Sequence, residues 1–152
     1  MRSLSLHIRY LFTPLLLVLS LFAFAQDRPD VKVTASLDTN AILIGEHVSL
    51  VLKAEYRTDQ GSIQITFPKL ADTIIKEIEI INASKVERVI PDSNNINEMI
   101  QFQSWIITSF DSGYYAIPPL KIIINGDSTN PIETEPLLLA VNTVAVDTTK
   151  NI

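Results

Sequence analysis

The sequence predicts an all-β protein built as an antiparallel β-sandwich, and three observations carry that expectation. In residues 26–152, Ile and Val together number 29 while Leu and Ala number 17. β-Branched side chains fit the pleated surface of a sheet better than the crowded surface of a helix. Several runs alternate apolar and polar residues with a period of two, which sorts side chains to the two faces of a strand. Clusters of Asp, Asn, Ser and Gly separate those runs at short intervals, as chain reversals require.

Residues 1–25 stand outside that pattern. Arg2, His7 and Arg9 precede an apolar run from Tyr10 to Ala25, which ends in Ala23-Phe24-Ala25 ahead of Gln26 and Asp27. A basic start, an apolar centre and a small-residue end make a cleavable secretory signal peptide. A retained anchor would need about 20 apolar residues, and Thr13, Pro14 and Ser20 interrupt this run. With no cysteine in the chain, acylation of a lipoprotein type is excluded. The expected organisation is a signal peptide at 1–25, a sandwich domain at 26–146 and a tail or linker start at 147–152. No second apolar run of spanning length follows, so the mature chain is expected to be soluble.

The first expected strand is Val31–Leu37, with Val31, Val33, Ala35 and Leu37 opposite Lys32, Thr34 and Ser36. In His47–Tyr56, Val48, Leu50, Leu52, Ala54 and Tyr56 share a face opposite His47, Ser49, Lys53 and Glu55, and Val51 is the apolar exception. Ser62–Phe67 comes next. Leu70–Ile81 carries two signals. Leu70, Ile74, Ile75, Ile78 and Ile81 recur at helical spacing, while Glu77-Ile78-Glu79-Ile80 alternates. A short turn or helical turn followed by a strand at Lys76–Ile81 is expected. Lys85–Ile90, Ile96–Phe110, Tyr114–Ile117, Leu120–Ile124 and Pro136–Val146 complete the set. Trp105-Ile106-Ile107 breaks the alternation of Ile100 and Phe102 with Gln101 and Gln103, which points to a bulge or a shift between sheets. Pro118-Pro119 cannot continue a central strand and marks an edge or a crossover. Turn signals fall at Asp38-Thr39-Asn40, Asp59-Gln60-Gly61, Pro91 to Asn95, Asp111-Ser112-Gly113 and Asn125-Gly126-Asp127. Seven or more short strands at this spacing give the sandwich an immunoglobulin-like type.

Composition narrows the chemistry. Without cysteine there are no disulfides, zinc thiolates or thiol nucleophiles. The formal charge of −5, from 12 basic and 17 acidic residues, argues against nucleic acid as a partner. Once residues 1–25 are removed, 127 residues remain with 10 basic and 17 acidic groups, a balance of −7. His47 is then the only histidine. As a general base it lacks a signature nucleophile and orienting group, and as a metal ligand it lacks a second histidine. A solvated strand histidine beside Glu46 is the preferred reading.

Asp92-Ser93-Asn94-Asn95 begins like a calcium loop, but the sixth position is Asn97 rather than Gly and the twelfth is Gln103 rather than Glu. An Asx-rich hairpin turn is expected there, and the same holds for Asp38-Thr39-Asn40. Trp105, Tyr56, Tyr114 and Tyr115 could together form a platform for a sugar ring. Core packing is preferred, with Tyr114 or Tyr115 as a corner tyrosine whose hydroxyl bonds nearby backbone. Gly45 and Gly113 read as backbone punctuation without a phosphate-loop context. Asn82-Ala83-Ser84 matches a glycosylation sequon. No catalytic, cofactor-binding or metal-binding residue is assigned, and no cofactor is expected.

Five strings occur in order: I-G-E-H-V-S-L at 44–50, F-P-K-L at 67–70, I-E-I-I at 78–81, F-D-S-G-Y-Y-A-I-P-P-L at 110–120 and V-D-T-T-K at 146–150. Together they resemble the BatD-like family, the aerotolerance-operon proteins of Bacteroidetes-type bacteria, from about Val31 to Lys150. The resemblance implies an exported, membrane-anchored protein with N-terminal immunoglobulin-like modules. It implies a periplasmic location at the inner membrane and assembly with von Willebrand factor A-domain membrane proteins of the same operon, in tolerance of oxidative or envelope stress. The family defines no catalytic residue. Its members continue past V-D-T-T-K into a linker and a transmembrane helix, so the sequence to Ile152 is expected to be a truncated product, a fragment or a detached soluble form, with membrane contact only through a tether beyond it.

The expected function is a non-enzymatic module for protein–protein contact in the cell envelope, through an exposed edge strand or the edge marked by Pro118. The alternative is a carbohydrate-binding or adhesive sandwich module, which requires Trp105 and Tyr114 or Tyr115 on one exposed surface. A hydrolase accessory or enzyme fragment comes third and requires a cleft holding a perturbed carboxylate pair.

Overall fold

A computed structural model describes residues 29–59 and 61–143. The signal peptide expected at 1–25, the tail at 147–152 and the Val144–Val146 end of the last expected strand lie outside the described residues. Twelve strands form within them: β1 (Val31–Leu37), β2 (Ala41–Leu43), β3 (Val48–Arg57), β4 (Ile65–Thr66), β5 (Thr73–Ile75) and β6 (Ile78–Ala83) come first. β7 (Glu87–Val89), β8 (Glu98–Thr108), β9 (Gly113–Ile117), β10 (Lys121–Ile124), β11 (Asp127–Glu133) and β12 (Leu137–Asn142) follow. There is no helix among the described residues, and the largely antiparallel sheets curl around one core into an open half-barrel.

The helical turn considered within Leu70–Ile81 is a hairpin instead. β5 and β6 reverse across Lys76-Glu77, with Thr73 opposite Glu79 and Ile75 opposite Ile78. A two-residue reversal sets residues three apart face to face, so the spacing of Ile75 and Ile78 mimicked one helical turn. Ile78 is fully buried.

The first sheet runs β1-β3-β8-β6-β5, with β7 also paired to β8. Along β3 the expected alternation holds: Val48, Leu50, Leu52, Ala54 and Tyr56 are all buried. Their cross-strand neighbours on β8 are Ile107, Trp105, Gln103, Gln101 and Met99. Directly opposed residues share a face, so the inner face of β8 changes from Met and amides to Trp and Ile halfway along. That change of chemistry explains the broken rhythm at Trp105-Ile106-Ile107. The β3–β8 register is continuous over ten pairs, and the irregularity lies in β6 between Ile80 and Asn82.

β6 and β7 track β8 one after the other. Ser84 bridges the gap, donating its amide to the Ser104 carbonyl at 2.8 Å and accepting the Ser104 amide on Oγ at 3.0 Å. The expected strands Lys76–Ile81 and Lys85–Ile90 are thus two segments of one path interrupted at Ser84 to Val86.

The remaining strands form the sheets β2-β12-β9 and β11-β10-β4. β9 leads into β10, and β11 into β12, across breaks at Pro118-Pro119 and Glu135-Pro136. Leu120 donates its amide to Thr134 Oγ1 and accepts the Thr134 amide, both at 3.0 Å, which ties the two breaks together. Pro118-Pro119 therefore marks a step between sheets, as proline's missing donor requires. The Asn125-Gly126 reversal joining β10 and β11 has φ of 51° and 76°, the left-handed pair of a type I′ hairpin.

β2 and β11 have no counterpart among the expected strands. β2 is three residues long and pairs in parallel with β12. β11 is polar and carries Pro131, yet it is an end strand whose register with β10 is interrupted between Ile122 and Ile124, where proline is tolerated. Buried apolar residues from all three sheets meet in one cluster that includes Leu50, Trp105, Ile107, Ile122 and Leu139. Removing each such side chain from water contributes about 1.5–3 kcal/mol.

Candidate functional site

The histidine is the first candidate to be resolved. His47 lies in the loop before β3 rather than on the strand, and it is exposed. The adjacent Glu46 serves the backbone: its Oε2 accepts the Leu43 amide at 2.7 Å, and its own amide donates to the Leu43 carbonyl at 3.0 Å. Gly45 closes this turn at φ 77° and donates to the Ser109 carbonyl, while Ile44 donates to Asn142. The I-G-E-H string thus anchors a turn between sheets. Among the described residues, no three His, Asp or Glu side chains gather as a metal site would require.

The Asp92 loop is an Asx turn, whereas Asp38-Thr39-Asn40 is not the expected hairpin turn but a crossing between sheets, because β1 pairs with β3 and β2 with β12. Asp92 Oδ1 accepts the Asn94 amide at 2.8 Å, and the Asp92 carbonyl accepts the Asn95 amide at 3.0 Å. Asp38 Oδ1 accepts the amides of Thr39 and Ser49 at 2.9 and 3.0 Å, pinning the step from β1 to β2 onto β3. Asn82 of the sequon is exposed and accepts the Ala83 amide on its own side chain at 2.9 Å.

The aromatic residues do not assemble into a platform. Trp105 is 2% exposed and Tyr56 is 7% exposed, both in the core, whereas Tyr114 is 78% exposed on the other sheet. Tyr115 takes the corner role. Its hydroxyl donates to the Asp111 carbonyl at 3.1 Å, and its ring folds so closely over Gly113 that a Cβ there would stand 3.0 Å from Oη and 3.1 Å from Cζ. Ser109 Oγ donates to the same carbonyl at 3.1 Å. In F-D-S-G-Y-Y, Gly113 is present because Tyr115 occupies its side-chain space.

Two surface features remain unabsorbed by structural roles. One is the outer face of β9 and β12. Tyr114 opposes Ala140, Leu138 opposes Ala116, and Ala41 of β2 lies beside Ala140. This face has no charged side chain, and Leu138 is 58% exposed. It lies at the end strand β9, which leads into the exposed Pro118-Pro119.

The other feature is a groove of about 800 Å³ lined by the segment 65–70, the β6–β7 path and β8. Phe67, Leu70 and Trp105 contribute its apolar wall. Gln101 and Gln103 from the inner face of β8 also line it; Gln101 Nε2 donates to the Tyr56 hydroxyl, and Gln103 Nε2 donates to the Ser84 carbonyl at 2.9 Å. Lys69 and Arg88 are its charged residues, and no carboxylate lines it. Sequence reasoning missed this groove. Its one visible signal was the pair of amides alternating along Ile96–Phe110, and which face they occupy depends on register.

A smaller hollow near Tyr56 mixes Asp30, Lys32, Glu55, Arg57 and Glu98. Lys32 Nζ stands 3.8 Å from Glu55 Oε2 within it, and Arg57 is engaged outside it, its Nε and Nη2 donating to Asp59 at 3.1 and 2.6 Å. That bidentate hydrogen bond raises Arg57 further above its ordinary range and lowers Asp59 below its own. No cleft with a perturbed carboxylate pair occurs among the described residues. Comparison with family models, with curated proteins and with solved structures finds no match to this chain in any of the three.

Proposed function

We propose that the chain is a non-enzymatic, exported interaction module of the cell envelope, immunoglobulin-like in fold and related to the BatD-like family. The observation that carries the interaction reading is the uncharged outer face of β9 and β12, where Tyr114 and Leu138 remain exposed beside the proline-marked edge. Exposed apolar residues grouped on one strand pair, next to an end strand, are the usual signature of partner contact. Strand order supports the immunoglobulin-like assignment. β1 joins β3 in one sheet, the chain crosses at Asp38, and β2 joins β12 in parallel in the other. The β9–β10 and β11–β12 paths form the closing hairpin, and Tyr115 sits at its entry as a tyrosine corner does.

On this reading the partners are envelope proteins, foremost von Willebrand factor A-domain membrane proteins, in a complex serving aerotolerance or envelope stress. The location is the periplasm beside the inner membrane. Crosslinking in the native envelope, with a photoreactive residue at Leu138, tests it. Recovery of A-domain proteins, lost when Tyr114 is changed to Lys, is the expected result. Recovery of no envelope protein at all overturns the reading.

A further inference from the structure

We infer that the groove between Phe67–Leu70 and the β6–β7 path is a second binding site, built to take an acidic peptide in extended conformation. It is separate from the face around Tyr114 and does not depend on it. Three observations converge on that occupant. First, the charge is anomalous: Lys69 and Arg88 line the groove without a carboxylate, in a chain of net charge −5. Both side chains are exposed, and neither joins any of the four ion pairs among the described residues, although acids outnumber bases. Cations left without partners in an acidic protein favour an anionic ligand.

Second, the groove lies between two sheet ends. β4 pairs only with β10, and β7 pairs only with β8. Each therefore carries backbone donors and acceptors with no strand beyond it, the arrangement to which an extended peptide adds by strand pairing. Third, the wall chemistry matches a peptide better than a bare anion or a lipid. The half-buried Gln103 contributes an amide group to the wall, Gln101 being 4% exposed and bonded to Tyr56, and Phe67, Leu70 and Val86 contribute apolar surface. Alternating apolar and acidic side chains would meet these two surfaces in turn.

A displayed library of random twelve-residue peptides, selected against the purified domain, tests the site. The expected outcome is enrichment of sequences that alternate Asp or Glu with apolar residues. The strongest of these, labelled with fluorescein, should bind at least tenfold more weakly to the Lys69→Glu/Arg88→Glu variant when read by fluorescence anisotropy. Lys32→Glu, a charge reversal on the outer face of β1, should leave binding within twofold. Both altered positions are exposed, and circular dichroism confirms that the variants fold. Because Trp105 is the only tryptophan, its emission should also shift on binding. The inference is overturned if the enriched peptides are not acidic, if they bind the double variant equally well, or if anionic vesicles or polyphosphate compete as strongly as the peptide.

Discussion

The closeness of Tyr115 to Gly113 yields a prediction whose sign depends on the background in which it is made. An alanine at position 113 would set its Cβ 3.0 Å from the Tyr115 hydroxyl and 3.1 Å from Cζ, inside normal contact. The ring must move, and its hydrogen bond to Asp111 at 3.1 Å must lengthen or break. Overpacking of this kind costs about 1–3 kcal/mol, while replacing Gly by Ala returns about 0.4–1 kcal/mol through the unfolded chain. Gly113→Ala should therefore destabilise by about 1–2 kcal/mol net. With Tyr115→Ala already present the clash disappears, and the same change should stabilise by about 0.5 kcal/mol. Tyr115→Phe should cost about 1 kcal/mol, the net value of one hydrogen bond, because Ser109 still serves the Asp111 carbonyl. Urea unfolding followed by the emission of Trp105 gives all the terms of this double-mutant cycle. An equal cost for Gly113→Ala in both backgrounds would refute the steric account.

Three further outcomes follow from geometry elsewhere. Tyr56→Phe removes the acceptor of the Gln101 amide in a site where Gln101 is 4% exposed, so a loss of about 1–3 kcal/mol in urea unfolding is expected. Gly126→Ala meets open space, and only its φ of 76° opposes it; about 1–2 kcal/mol of destabilisation should appear as a lower Tm. Glu55 is held below its ordinary value near 4.5, first by the hydrogen bond from Lys53 at 2.6 Å, against desolvation, and then by the charges of Lys53 and Lys32. A depressed carboxyl contributes stability that is present above the unfolded value and lost as pH falls through the folded one. The urea midpoint of the native protein should therefore exceed that of Glu55→Gln at pH 7, with the gap closing below about pH 4.5. A gap unchanged at pH 3 contradicts this assignment.

The exposed tyrosine and the buried tryptophan separate two readings that composition left open. A glycan platform needs flat aromatic faces in solvent, and here Trp105 is packed opposite Leu50 on the inner face. What stays exposed instead is an aliphatic and tyrosine face on β9 and β12, which suits protein contact.

The local sequence determined much of this protein. The alternation in Val48–Tyr56 translated directly into a buried face, and that in Val31–Leu37 into a weaker one with Val31 buried and Val33, Ala35 and Leu37 half-buried, because a strand's two-residue period is a property of the backbone itself. Asp92 and Asn125-Gly126 were legible as turns for the same reason: each acts on backbone within a few residues, whereas Asp38 bonds the distant Ser49 and marks a crossing between sheets. Tertiary structure decided everything that rests on register. The apolar-looking Ile100 and Phe102 of β8 lie on the outer face and the amides of Gln101 and Gln103 turn inward, because β3 fixes the pairing. β11 forms despite its polar sequence because the Asn-Gly hairpin delivers it to β10, and β2 forms because β12 is there to receive it. Lys69 and Arg88, 19 positions apart in the chain, share a groove only because two sheets curl around one core. Short-range geometry can be read along a chain, whereas contacts between distant strands exist only once the whole set of pairings has closed.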